Sequence, residues 1–287
     1  MPMTNSSGMN WDSFSWSRSD EPQGRGEQTT VNVLSEDKSK CYMWLYCTGT
    51  DAPRENALPA IVLYDYQASR SGSCAADYLH AYRGYLQVDG YAGYEQTQAR
   101  LVGCWAHARR KFVDAETAQD KGKPGKALWA INLIKKLYRL ERLMSDKDHD
   151  EKKRQRESDA KPLLKEFKLW LDQSVLQVPP KSAIGVAIGY TLKQWDKLNR
   201  YLEDGALDID NNRAERAIKP FVIGRKNWLF ANTTSGAHAS AVLYSIIETA
   251  KANDLIPFYY LMHLLTELPK PNVDMDTLMP WNVDLKS

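Results

Sequence analysis

Asp89 stands at the end of a strand-like run in GYLQVDGYAGYE, residues 84 to 95, and is the first carboxylate whose setting suggests chemistry. Tyr85, Gln87 and Asp89 alternate with Leu86 and Val88, the period of a short strand. Gly90 and Gly93 then mark a turn or a close backbone approach. A carboxylate where a strand runs out, with small residues beside it, can face a substrate or simply shape the turn. The second such group is Glu215, in DIDNNRAERAIKP, residues 208 to 220. Asn212 can cap a helix there, with Glu215 closing a capping box three residues later. The other reading is a helix that carries Glu215 to the side of Asp89. Arg213, Arg216 and Lys219 spread positive charge along the same turn, suited to phosphates or to surface pairing.

Carboxylates at a strand end and on a nearby helix have a physical use in phosphodiester chemistry. Two divalent ions roughly 4 Å apart activate an oxygen nucleophile and stabilise the leaving oxygen. Oxygen ligands suit magnesium or manganese. A third carboxylate would come from the central sheet, where Glu27, Asp37 and Asp65 are candidates that residue patterning does not separate. Asp65, in LYDYQ, falls near a strand end.

Cys104 and His107 have ligand-like spacing, but no second pair accompanies them and a structural zinc needs about four ligands. A buried cysteine and a helix-facing histidine are therefore expected. The same GCWAHARRKF opens a basic helix whose Arg109, Arg110 and Lys111 suit phosphate contacts. Nothing local pairs a nucleophilic cysteine with a base, and no glycine-rich phosphate cradle occurs.

The elements that must position these groups follow from periodicity. TTVNVL, CYMWLYCTG and AIVLYDYQ read as strands, with the proline-bearing TDAPRENALP as a loop. Ser71 to Tyr82 reads as a helix, YLQVDGY as a fourth strand and ARLVGC as a fifth, the start of a mixed α/β sheet. WAHARRKFVDAE is helical, and residues 127 to 175 are strongly so. Within them SDKDHDEKKRQRESDA is almost wholly polar and is expected to be an exposed, solvated connection. AIGVAIGYTLKQWDKLNRYLED predicts another helix pair. NRAERAIK opens a helix that Pro220 limits or bends, leaving VIGRKNWLF extended. ASAVLYSIIETAKAND and IPFYYLMHLLTELP are helices, and the proline-marked tail is expected to pack loosely.

The 287 residues can bury a large core, and 43% hydrophobic with 26% charged residues is ordinary for a globular protein. Net charge is only +2 but unevenly spread: residues 1 to 99 hold 7 Lys/Arg against 12 Asp/Glu, and residues 100 to 200 hold 23 against 13. That suits metal-binding carboxylates beside a polyanion-binding region, and equally a solvated helical arm. Nine Trp and fifteen Tyr suit packing first and base stacking second. Four scattered cysteines exclude a disulfide scaffold. The absence of a signal-like start or a membrane-length apolar run makes a soluble cytoplasmic protein the expectation.

In order along the chain, TTVNVL, YMWLYCTG, YLQVDGYAGY, GCWAHARRKF, DNNRAERAIKPFVIGRKNWLF and SGAHASAVLYSIIETAKAN resemble bacterial transposases of the insertion sequence 66 type, members of the DDE group. The resemblance covers residues 27 to 270 and implies a ribonuclease H-like mixed sheet with flanking helices and a large helical insertion before the final catalytic helix. It divides the chain into a leader (1–26), a first core part (27–120), the insertion (121–205), remaining core helices (206–270) and a tail (271–287). It further implies metal-dependent cleavage and strand transfer at insertion-sequence ends in double-stranded DNA, with two Mg2+ or Mn2+ ions and a homo-oligomeric assembly.

By the same resemblance Asp89 is the second catalytic aspartate and Glu215 the final glutamate. The usual Ala-Asp-Glu-Thr reads here Gly26, Glu27, Gln28 and Thr29, so Glu27 stands for the first aspartate. Its extra methylene shifts the carboxylate where small displacements matter, which implies poor metal binding and weak cleavage. The family's full proteins carry a substantial N-terminal region for oligomerisation and DNA-end recognition, so the chain reads as a core without it. Two alternatives remain: a catalytically inert DNA-binding remnant, and a ribonuclease H-like nuclease without strand transfer.

Overall fold

The computed structural model describes residues 23–37, 40–49, 59–118 and 125–285. The leader over 1–22 and most of the TDAPRENALP loop lie outside them. Five strands form one sheet: β1 (Gly24–Val31), β2 (Cys41–Cys47), β3 (Val62–Gln67), β4 (Tyr85–Gln87) and β5 (Arg100–Val102), in the order β3-β2-β1-β4-β5. β1, β2 and β3 are antiparallel neighbours, whereas β4 and β5 run parallel to β1. With helices on both faces this is a ribonuclease H-like fold. β1 starts earlier than TTVNVL suggests. Gly24 and Gly26 permit this, because a Cβ at either would press on Tyr82 or Tyr94.

One face of the sheet carries α1 (Gly72–Tyr78), with Trp44, Tyr46, Leu79, Tyr82 and Tyr94 in its core. The other is covered by α8 (Asn212–Trp228) and α9 (Thr234–Ala252) over Met43, Leu45, Tyr64 and Tyr66. VIGRKNW is therefore helical rather than extended, with α8 running through Pro220 to Trp228, and Leu229 and Phe230 lie past its end. Ala214, Ile218 and Phe221, at helical spacing, are buried against the sheet, and that packing outweighs the lost proline N–H.

α9 also serves the sheet's outer strand. Ser245 Oγ accepts the N–H of Tyr64 at 2.8 Å, Thr249 Oγ1 bonds both the N–H and the C=O of Val62, and Asn253 donates to the C=O of Ala60 at 2.7 Å. Steps of four residues on the helix thus match steps of two on the strand, since both advance about 6 to 7 Å. α10 (Pro257–Glu267) follows. The tail packs more tightly than expected: Leu278 is buried with Tyr260 and Leu264, and Tyr260 Oη donates to the Leu278 carbonyl. No helix among the described residues is long and apolar enough to cross a membrane.

α2 (Trp105–Thr117) leads from β5 into the helical insertion of α3 (Lys126–Leu143), α4 (His149–Gln155), α5 (Lys161–Val175), α6 (Ala183–Lys193) and α7 (Trp195–Asn199). Their stripes, such as Leu164, Phe167 and Leu171, close around Trp105 and Phe112. Trp105, Trp129, Trp170 and Trp195 pack in this core, which resolves their role as structural.

The polar connection is not wholly solvated. One π-helical turn, Arg156–Ala160, joins α4 to α5, and Arg156 is 1% exposed. Its guanidinium bonds both carboxylate oxygens of Glu141 and the carbonyls of Tyr201, Asp204 and Leu207. Replacing Arg156 by Met strands these acceptors and is expected to destabilise the chain by about 3–5 kcal/mol. Urea unfolding checks this, and a loss below about 1 kcal/mol would contradict the clamp.

Candidate active site

Glu27 of β1 feels the charges of two other carboxylates, Asp89 just after β4 and Glu215 of α8. Glu27 is the cross-strand partner of Leu45, so its side chain lies on the sheet face that α8 covers. The parallel register pairs Gly24 with Leu86 and Arg25 with Gln87. β4 ends at Gln87, and Asp89, two residues on, lies close enough to Glu27 to raise its carboxyl pKa.

Asp89 is held on every side. Its Oδ1 accepts the Tyr91 N–H at 2.9 Å and its Oδ2 the Gln28 amide at 3.2 Å, while its carbonyl accepts the Tyr190 hydroxyl at 3.0 Å. Gln28 is itself fixed by the Tyr94 hydroxyl at 2.9 Å. Gly90 is required twice over, by its φ of 91° and because a Cβ there would come within 2.8 Å of Tyr190 Oη. Glu27 folds back, its Oε1 accepting the N–H of Gln28 at 3.0 Å.

Glu215 does not close a capping box. Asn212 turns to Asp210, whose carboxylate accepts its N–H and its amide, and the α8 cap residue Asn211 makes no side-chain cap bond. Asn211 is buried instead and pins the helix start: its amide donates to Gly26 O at 3.0 Å and its N–H to Cys104 Sγ at 3.2 Å. The Glu215 carboxylate is thereby left for α2. Its Oε2 accepts from Arg110 at 3.4 Å, and its Oε1 lies 3.6 Å from His107 Nδ1. That is beyond hydrogen-bond reach, and both atoms are buried without a bonded partner.

The pairing of Cys104 with His107 gains a third member from α8. Ligand atoms of Cys104, His107 and Glu215 all lie within 4.8 Å of one another, the one such close group of histidine, cysteine and carboxylate side chains among the described residues; Glu27 and Asp89 stand outside it. Sequence spacing exposes the first two, while the third is 108 positions further on and reaches them only through the fold.

The sequence profile of the Transposase IS66 family matches residues 21–239. The chain belongs to that family. The IS66 C-terminal element matches residues 245–281. Three uncharacterized proteins of Sinorhizobium fredii (strain NBRC 101917 / NGR234) are similar to it. y4qI is 34% identical over 89% of this chain and 50% of its own length, y4jD 32% over 91% and 54%, and y4hP 31% over 89% and 50%. The chain spans about half the length of these curated relatives. No solved structure matches it.

Within this IS66-family chain a cleft of about 290 Å³ is lined by Glu27, Gln28, His107, Arg110, Glu215 and Lys219. Of the expected phosphate contacts, Arg110 and Lys219 face it, and Lys111 lies near enough to act on His107 electrostatically. Arg109 lies near Tyr138, Arg213 donates to the Thr48 carbonyl at 2.9 Å, and Arg216 is exposed on α8. Arg70 escapes sequence reasoning: it stacks 4.0 Å over the Tyr91 ring and acts on Glu27. Asp65 is not in this group. It pairs with Trp44 on the opposite face, where it accepts the Gln67 amide at 2.9 Å and burial raises its pKa to about 6. Asp37 lies in the turn beyond β1, past the bridge between Val33 and Ala231.

Burial first, and then the charges of Asp89 and Glu215, push the Glu27 carboxyl up to about 8, against the opposing pull of the Gln28 N–H and Arg70. A folded-state pKa above the unfolded value favours folding below about pH 4.5, and the contribution is lost as pH rises to about 8. In chelator the thermal midpoint is therefore expected to fall across this window. Glu27→Gln flattens the fall, stabilising the chain at pH 8 by on the order of 2–4 kcal/mol. Identical midpoint-versus-pH curves for both proteins would refute the crowding.

Proposed function

We propose that this chain is the catalytic core of an IS66-family transposase that cleaves and joins double-stranded DNA, with its chemistry weakened at position 27. The observation that supports the reading is that Asp89 and Glu215 both lie close enough to Glu27 to raise its pKa, while Glu27 and Glu215 line one cleft together with Arg110 and Lys219. The donors fit a hard divalent cation. All are carboxylate oxygens, Glu215 Oε1 is buried without a donor, and burial together with the charges of Asp89 and Glu215 keeps the proton on Glu27, a crowding that a cation would relieve.

Mg2+ or Mn2+ held by these residues, two ions in the family scheme, would supply Lewis acidity to the attacking and leaving oxygens. The chain's own groups do the rest. Arg110 and Lys219 draw the phosphodiester into the cleft and offset its charge. Gln28 and Tyr91 fix both oxygens of Asp89, so that its position does not drift as charge builds. Water first opens a phosphodiester at an insertion-sequence end, and the freed 3′ hydroxyl then attacks target DNA. End recognition and homo-oligomeric assembly belong to this same proposal.

A second reading, an inert DNA-binding remnant, draws on one observation: Glu27 is bonded back onto its own strand. Cleavage of a labelled insertion-sequence end in Mg2+ or Mn2+ separates the two. Slow, metal-dependent cleavage is expected, falling to background in Asp89→Asn and Glu215→Gln. It should rise roughly 10–100-fold in Glu27→Asp, which restores the shorter carboxylate. Equally robust cleavage by the native chain and Glu27→Asp would end the claim of a weakened site. No cleavage by either, with DNA binding intact, would favour the remnant, and cleavage without joined products would mark a nuclease.

A further inference from the structure

Glu215 stands between two donor sets of different chemistry. On one side are the oxygens of Glu27 and Asp89; on the other are the sulfur of Cys104 and the imidazole of His107. Cys104 stands at the N-cap position of α2 without a side-chain cap bond, and its Sγ accepts the Asn211 N–H at 3.2 Å; burial pushes the thiol up to about 12, so the sulfur is a buried neutral thiol until a cation displaces its proton. His107 sits one turn later, its Nδ1 buried, unbonded and 3.6 Å from Glu215 Oε1.

We propose that Cys104, His107 and Glu215 form a three-residue site for a thiophilic divalent cation of the zinc type, separate in chemistry from the hard-ion site but sharing Glu215 with it. Around tetrahedral zinc, sulfur, nitrogen and oxygen ligands stand roughly 3.3–3.6 Å apart. The His107–Glu215 pair is already at that separation, and the whole group, within 4.8 Å, needs only small side-chain shifts. Three protein ligands leave the fourth position to water. Binding displaces the thiol proton to solvent, and soft sulfur with imidazole selects zinc over magnesium. While Glu215 ligates such an ion it is withdrawn from Asp89 and Glu27. On the catalytic reading above, this makes the site inhibitory.

The test uses the whole metal-free chain and cobalt(II) as a spectroscopic stand-in for zinc, so it requires no cleavage activity. One equivalent of cobalt is expected to give a thiolate-to-cobalt charge-transfer band with the intense visible bands of four-coordination, which zinc abolishes. Cys104→Ser should lose the charge-transfer band, whereas Cys74→Ser, altering a cysteine outside the group, should keep it. His107→Gln and Glu215→Gln should keep a thiolate band but weaken zinc binding by about tenfold or more. Asp65→Asn, on the opposite face of the sheet, should leave zinc affinity unchanged. Circular dichroism checks that Cys104→Ser is folded, and the half-buried His107 variant provides an independent reading. The proposal is overturned if the charge-transfer band survives Cys104→Ser, or if zinc affinity is the same in the native chain, His107→Gln and Glu215→Gln. Loss of the cleavage reading would leave these spectra untouched.

Discussion

Arg25 is a buried charge with few ways to be satisfied, and the elements that satisfy it are those that carry the site. It lies in β1, two residues before Glu27. Its guanidinium pairs with Asp208, donates to the Gln87 side chain of β4 at 3.0 Å and reaches the Asp210 carbonyl at 3.2 Å. The strand before Asp89 and the run-in to the helix of Glu215 are thus tied to one cation. An unpaired charge at 1% exposure would cost several kcal/mol, so neither β4 nor the 208–210 segment can drift without leaving that charge bare. Asn211 adds a second tie, joining α8 to Gly26 and to Cys104.

The insertion takes part in the same arrangement. Tyr190 of α6 reaches the carbonyl of Asp89, the carbonyl of Lys197 accepts the Gly103 N–H at 2.8 Å, and the Trp105 indole donates to Leu198 O at 2.8 Å. Gly103 is small because a Cβ would meet the Leu198 backbone at 3.0 Å. A helical unit gripping the loop after β4 and the end of β5 transmits its own packing to Asp89. The Arg156 clamp, although remote in sequence, therefore bears on the site.

Much of this was legible in the residues. Alternation and glycines marked the strand end of Asp89, helical spacing marked the insertion, and the ordered motifs marked the family. The local signals failed where a tertiary contact outweighed them. Asn212 and Glu215 have the spacing of a capping box, but Asp210 takes the asparagine and α2 takes the glutamate. Pro220 argued for a break, yet Ile218 and Phe221 bury more than one missing N–H forfeits. Arg156 sits in a run of charged residues, where nothing local separates a buried arginine from a solvated one. Arg70 and Gln28 owe their places to partners far along the chain, which period and composition do not report.

The contact of α9 with β3 bears on how copies of this chain can meet. An outer strand normally offers a ladder of free N–H and C=O groups to any extended neighbour. Here Ser245, Thr249 and Asn253 already occupy that ladder at Tyr64, Val62 and Ala60. Sheet extension through β3 is closed without removing a helix.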